Sequence, residues 1–393
     1  MVKEFVQDTQ KPDFWLDINK HVRSMVKDAL QITLDDEMSQ YTQSKRHQRT
    51  EERMDYRNGY YYRDLDTGIG PLENIAVPRS RSGLFRPACI QRYQRRQEAV
   101  NDVVRNVFLS GVSTRDVSGT LKPLLGATIS ASAVSRICKS LDSAVKAFHS
   151  REILDEYQFL FLDGITMKVK GALKAKKIMI LAAYGITIFG RKELVTFRLA
   201  NAESNSACEG FLNDLFNRGL KGKNLKLVVT DGSKGFANAI NLVYPHAKHQ
   251  RCWVHKLRNI AVHLKKADQK AVLRDAKKIY KATTHREAVE MFKAFKKTWL
   301  SKYAKVVRSI EQDLDELLAF LEIPVKKEHA EFIRRQIRTT NCIERSFREV
   351  RRRTRPMSCF KNTDSVQRII YAIFMKLNNK WKAKPLIEFT QFI

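Results

Sequence analysis

Two apolar runs in this chain end alike: Phe159-Leu160-Phe161-Leu162-Asp163-Gly164 and Leu227-Val228-Val229-Thr230-Asp231-Gly232. Short continuous apolar runs read as strands covered on both faces, the habit of an α/β sheet. An Asp at the carboxyl end of such a strand projects into the crevice at the sheet edge. The Gly beside it lets backbone pass close to an ion or phosphate. Either run alone reads more simply as a turn. Two of them on neighbouring strands would converge on a divalent cation.

The surrounding pattern supports an α/β core. Ile178 to Ala183 and Leu194 to Leu199 are further strand-like runs, a helix is expected from about Ser206 to Arg218, and another from about Ser233 to Val243. A last strand is expected near Gln250 to Val254. From His255 to Arg335 the period turns helical: Thr284 and Glu287 form a capping box, and Ala288, Phe292, Phe295, Trp299 and Tyr303 fall on one stripe. A helix over about Thr340 to Arg352 follows, in a segment with nine arginines between residues 334 and 355, and residues 364–380 read as an amphipathic helix.

Ahead of the core, Val100, Val103, Val104, Val107 and Phe108 make one helical face. Ser113 is an expected N-cap, Gly126 stops the helix, and a second helix starts near Ser130, giving a helix-turn-helix pattern. Its second helix would offer Ser132, Ser135, Arg136 and Lys139 to a major groove. An ordinary helical hairpin gives the same pattern. Further upstream, Arg57-Asn58-Gly59-Tyr60-Tyr61-Tyr62-Arg63 and the glycines and prolines after it suggest short strands and turns. Interleaved Tyr and Arg can stack on bases and grip phosphates, and equally can form a small β core.

The arginine-rich helix supplies a third acid. Asn341, Glu344, Arg348 and Arg351 share a helical face, so Glu344 stands amid arginines. It reads as a salt-bridge partner or as a third metal ligand beside arginines that hold DNA. Three carboxylates with two hard divalent cations are what phosphodiester cleavage and strand transfer require: one ion helps deprotonate water or a 3′-hydroxyl, the other stabilises the leaving oxygen. Magnesium suits such an all-oxygen site. Glu349 points elsewhere on the helix and is expected to be a surface partner. Gln250-Arg251-Cys252-Trp253-Val254-His255 contains a Cys-x-x-His, with His246 and His249 upstream, but no second pair at finger-like distance, so zinc is not expected.

A net charge of +30 argues for a polyanionic partner, nucleic acid first, although charge alone also suits a soluble basic protein or an anionic-membrane binder. The six cysteines are scattered without CxxC pairs, as in a reducing compartment. The longest apolar stretch, Ile178 to Gly190, has 13 residues, short of a membrane span, and the opening residues lack a signal-peptide pattern. A soluble, cytoplasmic protein is expected.

Taken together, the chain resembles the Mutator-type transposases of bacterial insertion sequences. The resemblance runs through Arg57-Asn58-Gly59-Tyr60, Val77-Pro78-Arg79 with Gly83 and Phe85, and Val134-Ser135-Arg136-Ile137. It continues through Leu162-Asp163-Gly164, Thr230-Asp231-Gly232, Gln250 to His255, Thr339-Thr340-Asn341 with Ile343-Glu344-Arg345, and Arg351 to Arg355. It implies an α/β RNase H-like catalytic core interrupted by an all-helical insertion, preceded by a mainly helical DNA-binding region with a helix-turn-helix. The implied catalytic and metal-holding triad is Asp163, Asp231 and Glu344, spaced 68 and 113 residues apart. The longer gap fits the family's helical insertion. Cys252 and His255 are a family signature near the active site, expected to support its architecture or handle DNA. Many members carry Asn three residues after the Glu, where this chain has Phe347.

The expected organisation is an N-terminal mixed α/β DNA-binding region over 1–93, a helix-turn-helix domain over 94–150, and core segments over 151–256 and 336–380. The helical insertion spans 257–335 and a C-terminal tail 381–393. The expected activity is Mg²⁺-dependent strand cleavage and strand transfer, with Mn²⁺ able to substitute and two ions bound. Expected partners are double-stranded DNA, namely terminal inverted repeats and target DNA, and at least a second copy of the chain. Arg136, Lys139, Asn341, Arg345, Arg348, Arg351 and Arg352 are the expected DNA contacts. In a bacterial cell this places the protein in the cytoplasm, at the nucleoid. The rival readings are a catalytically silent DNA-binding regulator and an RNase H-like nuclease.

Overall fold

The computed structural model describes residues 14–171, 174–357 and 359–392. The opening stretch read for a signal peptide, residues 1–13, lies outside them. The chain divides into two compact units, Met1–Lys139 and Ser140–Ile393.

In the first unit, β1 (Arg57–Thr67) and β2 (Gly70–Ser80) pair as an antiparallel hairpin. A helix of 29 residues, Phe14–Thr42, packs across β2. Leu34 of the helix, with the part-buried Leu30 beside it, meets Leu65, Leu72, Ile75, Val77 and Ile90. The Gln31 amide donates to the Ala76 carbonyl at 2.7 Å and accepts from its N–H at 3.1 Å. This helix has no clear sequence signature, because its buried residues, Leu34, Met38 and Thr42, form a single narrow line four residues apart while most of its other residues face water. The hairpin core is aliphatic; Tyr61 only fringes it, and Tyr62 is exposed, so the tyrosines do not form the core.

Helices Glu98–Leu109, Asp116–Leu125 and Ala131–Lys139 share a second core of Val100, Val104, Val117, Leu121, Leu125, Ile129 and Val134. The middle helix begins three residues later than the expected Ser113 cap. Ser113 Oγ still accepts the Asp116 N–H at 3.3 Å, holding the turn that leads in. Gly126 closes that helix in the left-handed conformation at φ +65°, as its position suggested.

The second unit is built on a five-stranded mixed sheet. Its strands are β3 (Tyr157–Val169), β4 (Lys176–Thr187), β5 (Lys192–Ala200), β6 (Leu227–Thr230) and β7 (Lys248–Arg251), in the order β5-β4-β3-β6-β7. β3, β4 and β5 form an antiparallel meander, and β6 and β7 add in parallel beside β3. Side chains alternate between faces along each strand. Leu160 and Leu162, with Leu181, Ala183 and Val228, pack under helices Asn205–Asn217 and Lys234–Val243 through Phe211, Leu212, Phe236 and Ile240. On β3 the opposite parity carries Phe159, Phe161 and Asp163. There Phe161 meets Tyr184, Tyr184 meets Trp381, and Phe197 meets Phe374, joining the sheet to helix Thr363–Lys382. Helix Asn341–Thr354 packs against β3 and β4.

The last expected strand stops at Arg251, and Trp253, rather than extending it, opens helix Trp253–Ala261. The reason is packing: the Trp253 ring is fully buried, its indole N–H donates to the Leu317 carbonyl at 2.7 Å, and the ring tilts against Tyr280. Helices Lys266–Lys281, His285–Trp299, Ala304–Gln312, Leu314–Leu318 and Lys327–Ile337 follow, as the helical period indicated. The Thr284 hydroxyl caps its helix by accepting the Glu287 N–H at 3.1 Å. Among the described residues no helix is long and apolar enough to cross a membrane.

The C-terminal segment is docked: Phe389 is fully buried against Phe159, and its carbonyl accepts from the buried Gln158 amide at 2.8 Å. Gly190, at the β4–β5 turn, holds this segment by accepting the Leu386 N–H at 2.8 Å. Gly190 has φ +68°, and a Cβ there would lie 2.1 Å from the Leu386 carbonyl oxygen. Gly190→Ala is therefore expected to destabilise the second unit by about 2 kcal/mol, from left-handed strain and backbone displacement. Thermal unfolding followed by circular dichroism should show a fall of roughly 5 °C; an unchanged melting temperature would remove the Gly190 contact from this description.

Candidate active site

Asp163 does not end its strand. β3 continues through Gly164 to Val169 because Ile165, Met167 and Val169 keep the alternation and pair with β4. What ends is the parallel pairing with β6, in which Phe159 faces Leu227, Leu160 faces Val228 and Phe161 faces Val229. Asp163 and Asp231 each follow the last paired residues, Phe161 and Val229, by two positions. The short strand β6 stops at Thr230, so Asp231 leaves the ladder where Asp163 stays in it. Each carboxylate is steadied by its own backbone: Asp163 Oδ1 accepts the Gly164 N–H at 2.7 Å, and Asp231 Oδ1 accepts the Ser233 N–H at 3.0 Å.

Glu344 reaches this edge from the first turn of helix Asn341–Thr354. The start of that helix is tied to the sheet by Cys252. The Cys252 N–H donates to the Thr230 carbonyl at 2.8 Å, continuing the β6–β7 pairing by one bond. Its buried thiol accepts from both the N–H and the hydroxyl of Thr340, each at 3.3 Å. Thr340 occupies the N-cap position, yet its hydroxyl does not cap the helix. Instead Thr340 Oγ1 lies 3.3 Å from His255 Nδ1 and 3.4 Å from Glu344 Oε1. His255 Nε2 is 3.6 Å from Glu344 Oε1, and the Arg258 guanidinium spans both Glu344 oxygens at 3.2 and 3.5 Å.

The charges are interlocked. A hydrogen bond to Cys252 raises His255, burial opposes this, and the negative Cys252, Asp163 and Glu344 add to it, leaving the imidazole at about 9. Burial raises the Cys252 thiol, but hydrogen bonds from His255 and Thr340 outweigh it and hold the thiol below its ordinary value. The two groups thus form a hydrogen-bonded pair in which the thiol is lowered and the imidazole raised. Burial lifts the Asp163 carboxyl to about 7; the Gly164 N–H pulls it down, Asp231 pushes it up, His255 lowers it and Glu344 raises it. Asp163 is the acid whose charge state answers to both Asp231 and Glu344.

Among the described residues, one group of three candidate metal donors lies within 4.8 Å of one another: Cys252, His255 and Glu344. This soft and mixed set is one ligand short of the tetrahedron zinc takes in a structural site, and its thiol already accepts two hydrogen bonds from Thr340. The two upstream histidines serve the scaffold. His246 Nε2 bonds the Gly222 carbonyl at 2.7 Å, and His249 Nε2 bonds Thr230 Oγ1 at 2.8 Å, beside Asp231.

The sequence matches the family described as "Transposase, Mutator family" over residues 2–384. The chain belongs to the Mutator family of transposases. It is 34% identical, over 92% of its length and 88% of the relative's, to the transposase for insertion sequence element ISRM5 of Rhizobium meliloti strain 1021. It is 33% identical to the transposase for insertion sequence element IS256 in transposon Tn4001 of Staphylococcus aureus, over 93% of this chain and 91% of that one. The corresponding protein of insertion sequence element IS905 from Lactococcus lactis is 34% identical over 82% and 80% of the two chains.

On this Mutator-family chain, Asn341, Arg345, Arg348, Arg351 and Arg352 are all exposed along the Glu344 helix. Arg353 is buried instead and pairs with Glu349 at 2.5 Å, so Glu349 is a salt-bridge partner, as its spacing from Glu344 indicated. Phe347 is buried, and packing occupies the position where many relatives are expected to carry Asn. In the first unit, Arg136 and Lys139 are exposed on helix Ala131–Lys139, opposite the buried Ala133, Val134 and Cys138.

Three residues of the site escaped the sequence reading. Thr340 carried a usable signal, a threonine at a helix start. Arg258 follows His255 by three residues, which on a helix brings both to one side. Glu203 had no signal: it lies just before the Ser204 cap, one of its carboxyl oxygens is buried without a hydrogen-bond partner, and burial raises its pKa, with Asp231 adding to the effect.

A carboxyl whose folded value exceeds its ordinary 3.8 stabilises the fold while it is protonated. The contribution of Asp163 is therefore full below about pH 4 and lost as pH rises through about 7. In metal-free protein, Asp163→Asn should melt several degrees above wild type at pH 8, and the difference should vanish near pH 4. An equal difference at both pH values would show that Asp163 is not held protonated by its surroundings.

Proposed function

We propose that this chain is an insertion-sequence transposase that cuts and joins DNA at a site made by Asp163, Asp231 and Glu344. The observation that supports the reading is the register of β3 and β6, in which Asp163 and Asp231 each follow the last paired residues by two positions, with the Glu344 helix packed against β3. Family membership adds the reaction class, since the relatives are named as transposases of insertion sequences.

The donor set fits hard divalent cations, Mg²⁺ with Mn²⁺ able to substitute. The three carboxylates offer only oxygen, and the unpartnered buried oxygen of Glu203 is what a nearby cation would satisfy. Asp163, raised by burial and by both neighbouring acids, would hold such ions together with Asp231 and Glu344. When bound, two such ions supply Lewis acidity for the attacking oxygen and the leaving oxygen of an in-line displacement.

The chain's own residues do the rest. The Asp163 carboxyl must give up its proton to act as a ligand. The His255 imidazole, raised to about 9 and beside Glu344, offsets part of the negative charge and is linked through Thr340 to the Cys252 sulfur. This holds the Glu344 helix at the sheet edge. Arg345, Arg348, Arg351, Arg352 and Asn341 line the exposed side of that helix and would hold phosphates along a bound strand. The nucleophiles are water and then the freed 3′-hydroxyl, so no covalent protein–DNA bond forms.

The same proposal reads the mixed sheet with its flanking helices as an RNase H-like core interrupted by the helical segment from Trp253 to Ile337. It reads Asp116–Leu125 and Ala131–Lys139 as a helix-turn-helix whose Arg136 and Lys139 meet terminal inverted repeats. Two ends must be cut and joined together, so the working form on DNA is a dimer or larger.

The test uses purified protein, Mg²⁺ and a plasmid carrying the gene's own flanking ends. Wild type should nick at the ends and join the freed strands. Asp231→Asn and Glu344→Gln should each slow cutting on the order of a thousandfold, the loss of several kcal/mol of ion-mediated stabilisation, while end binding measured by mobility shift stays within about twofold. End binding without cutting by wild type, in Mg²⁺ and in Mn²⁺, would favour a DNA-binding regulator.

A further inference from the structure

Within the first unit, β1, β2 and the chain after β2 border an open groove of about 940 Å³. Seven arginines and no lysine line it, against two aspartates. Among the described residues only Arg96 of the seven is ion-paired, with Asp66 at 3.0 Å. The other aspartate, Asp64, is engaged by the Asn74 N–H at 2.9 Å. Six guanidinium groups therefore converge on one groove without a carboxylate to neutralise them. Guanidinium is the cation that matches phosphate oxygens two at a time, and its plane also stacks on rings.

The aromatic residues of the groove behave in the same way. The Arg79 guanidinium lies 5.1 Å from the centre of the Tyr61 ring, and that of Arg92 lies 4.9 Å from the centre of the Tyr93 ring. Tyr62 and Tyr93 are 68% and 79% exposed. Tyr93 is also strained, with φ +63°, a conformation that bulky side chains rarely adopt. Its turn is fixed on both sides: the Gln94 N–H donates to the Gln91 carbonyl at 3.1 Å, and the Gln94 side chain bonds the Gln91 N–H and the Arg96 carbonyl. The fold thus spends strain to hold a large ring in water, the pattern of a residue kept for a ligand.

We infer that this groove binds an unpaired DNA strand, its phosphates on Arg79, Arg81, Arg92 and Arg95 and its bases stacked on Tyr62 and Tyr93. A duplex offers phosphates but hides the faces of its bases. An unpaired strand offers both, and rings beside arginines in a groove are how sequence-tolerant strand binding is built. The assignment to DNA rests on the proposed function, because cutting at element ends is the reaction that produces unpaired or frayed strands next to the protein. The groove would hold such a strand away from re-pairing.

The experiment uses the full chain in fluorescence anisotropy, with a labelled single strand of mixed sequence and the same oligonucleotide as a duplex, at one salt concentration. The Tyr62→Ala/Tyr93→Ala double variant should lose about tenfold in affinity for the single strand, the scale of one or two lost base stacks, and less than about twofold for the duplex. Tyr62→Phe/Tyr93→Phe should bind the strand as wild type does, since stacking needs the ring and not the hydroxyl. Unchanged strand affinity in the alanine variant overturns the inference, and so does an equal loss for strand and duplex in a variant that melts like wild type. If the alanine variant melts early, photocrosslinking of wild type to a strand containing 5-iododeoxyuridine decides: a crosslink on Tyr62 or Tyr93 supports the groove, and a crosslink elsewhere overturns it. An RNA strand that outcompetes the DNA strand overturns the choice of ligand. The same wild-type preparation is assayed for Mg²⁺-dependent cutting at the ends. Tyrosine-dependent strand binding without cutting would count against the transposase reading and leave the groove standing.

Discussion

Cys252 joins three segments that lie far apart in the chain. Its N–H continues the pairing of β6 and β7 at Thr230, one residue before Asp231. Its own position is the step from β7 into the helical segment, where Trp253 is buried. Its thiol takes two hydrogen bonds from Thr340, the residue that starts the Glu344 helix. These bonds, with one from His255, lower the thiol against the effect of burial. The same His255 hydrogen bond raises the imidazole to about 9 in the same small volume. The Trp253 N–H adds a bond to the Arg338 carbonyl at 3.2 Å, two residues before Thr340, so the start of the Glu344 helix is tied to the end of β7 at two neighbouring positions.

The helical segment between Trp253 and Ile337 is fastened to the sheet by buried polar groups as well as by apolar packing. The fully buried Gln250 amide donates to the Leu317 carbonyl at 3.0 Å and accepts the Phe320 N–H at 2.8 Å. Arg251 and Lys256 both bind Asp313, and Arg251 also binds Glu316. Partnered polar groups of this kind contribute little net stability, but leaving one unpaired is costly, so they set the register of the segment. The chain can therefore leave the sheet after β7, run through a largely helical segment of more than eighty residues and return with Glu344 in place. The sheet holds the two aspartates and the joint holds the glutamate.

Much of this was legible in the sequence because burial leaves a period. The strand runs ending at Asp163 and Asp231, the helices between them and the helical stretch before the arginine-rich segment all follow from apolar spacing. The end of β3 was misread because Asp163-Gly164 looks like a turn, although the alternation of Ile165, Met167 and Val169 past it marks a continuing strand. Trp253 was assigned to a strand because an apolar triplet has no period of its own; only its contact with Leu317 and Tyr280, distant in sequence, makes it the start of a helix. The long helix Phe14–Thr42 buries too little for its period to show. Glu203 could not be found from sequence, since its importance lies in an unpartnered oxygen near Asp231 and in no local pattern.

Among the described residues Cys252, His255 and Glu344 lie within 4.8 Å of one another as donors, and the proposed function adds a second set that shares Glu344, the hard oxygens of Asp163, Asp231 and Glu344. In the proposed function the carboxylate set binds the catalytic ions, and Cys252 with His255 forms a hydrogen-bonded pair that positions the glutamate. Iron-directed cleavage of the polypeptide separates them most directly. Purified protein is loaded with Fe²⁺ in place of Mg²⁺, ascorbate and peroxide are added, and the cut positions are mapped by mass spectrometry. The account predicts cuts beside Asp163, Asp231 and Glu344, all suppressed by excess Mg²⁺. Cuts confined to the neighbourhood of Cys252, His255 and Glu344, insensitive to Mg²⁺, would contradict it.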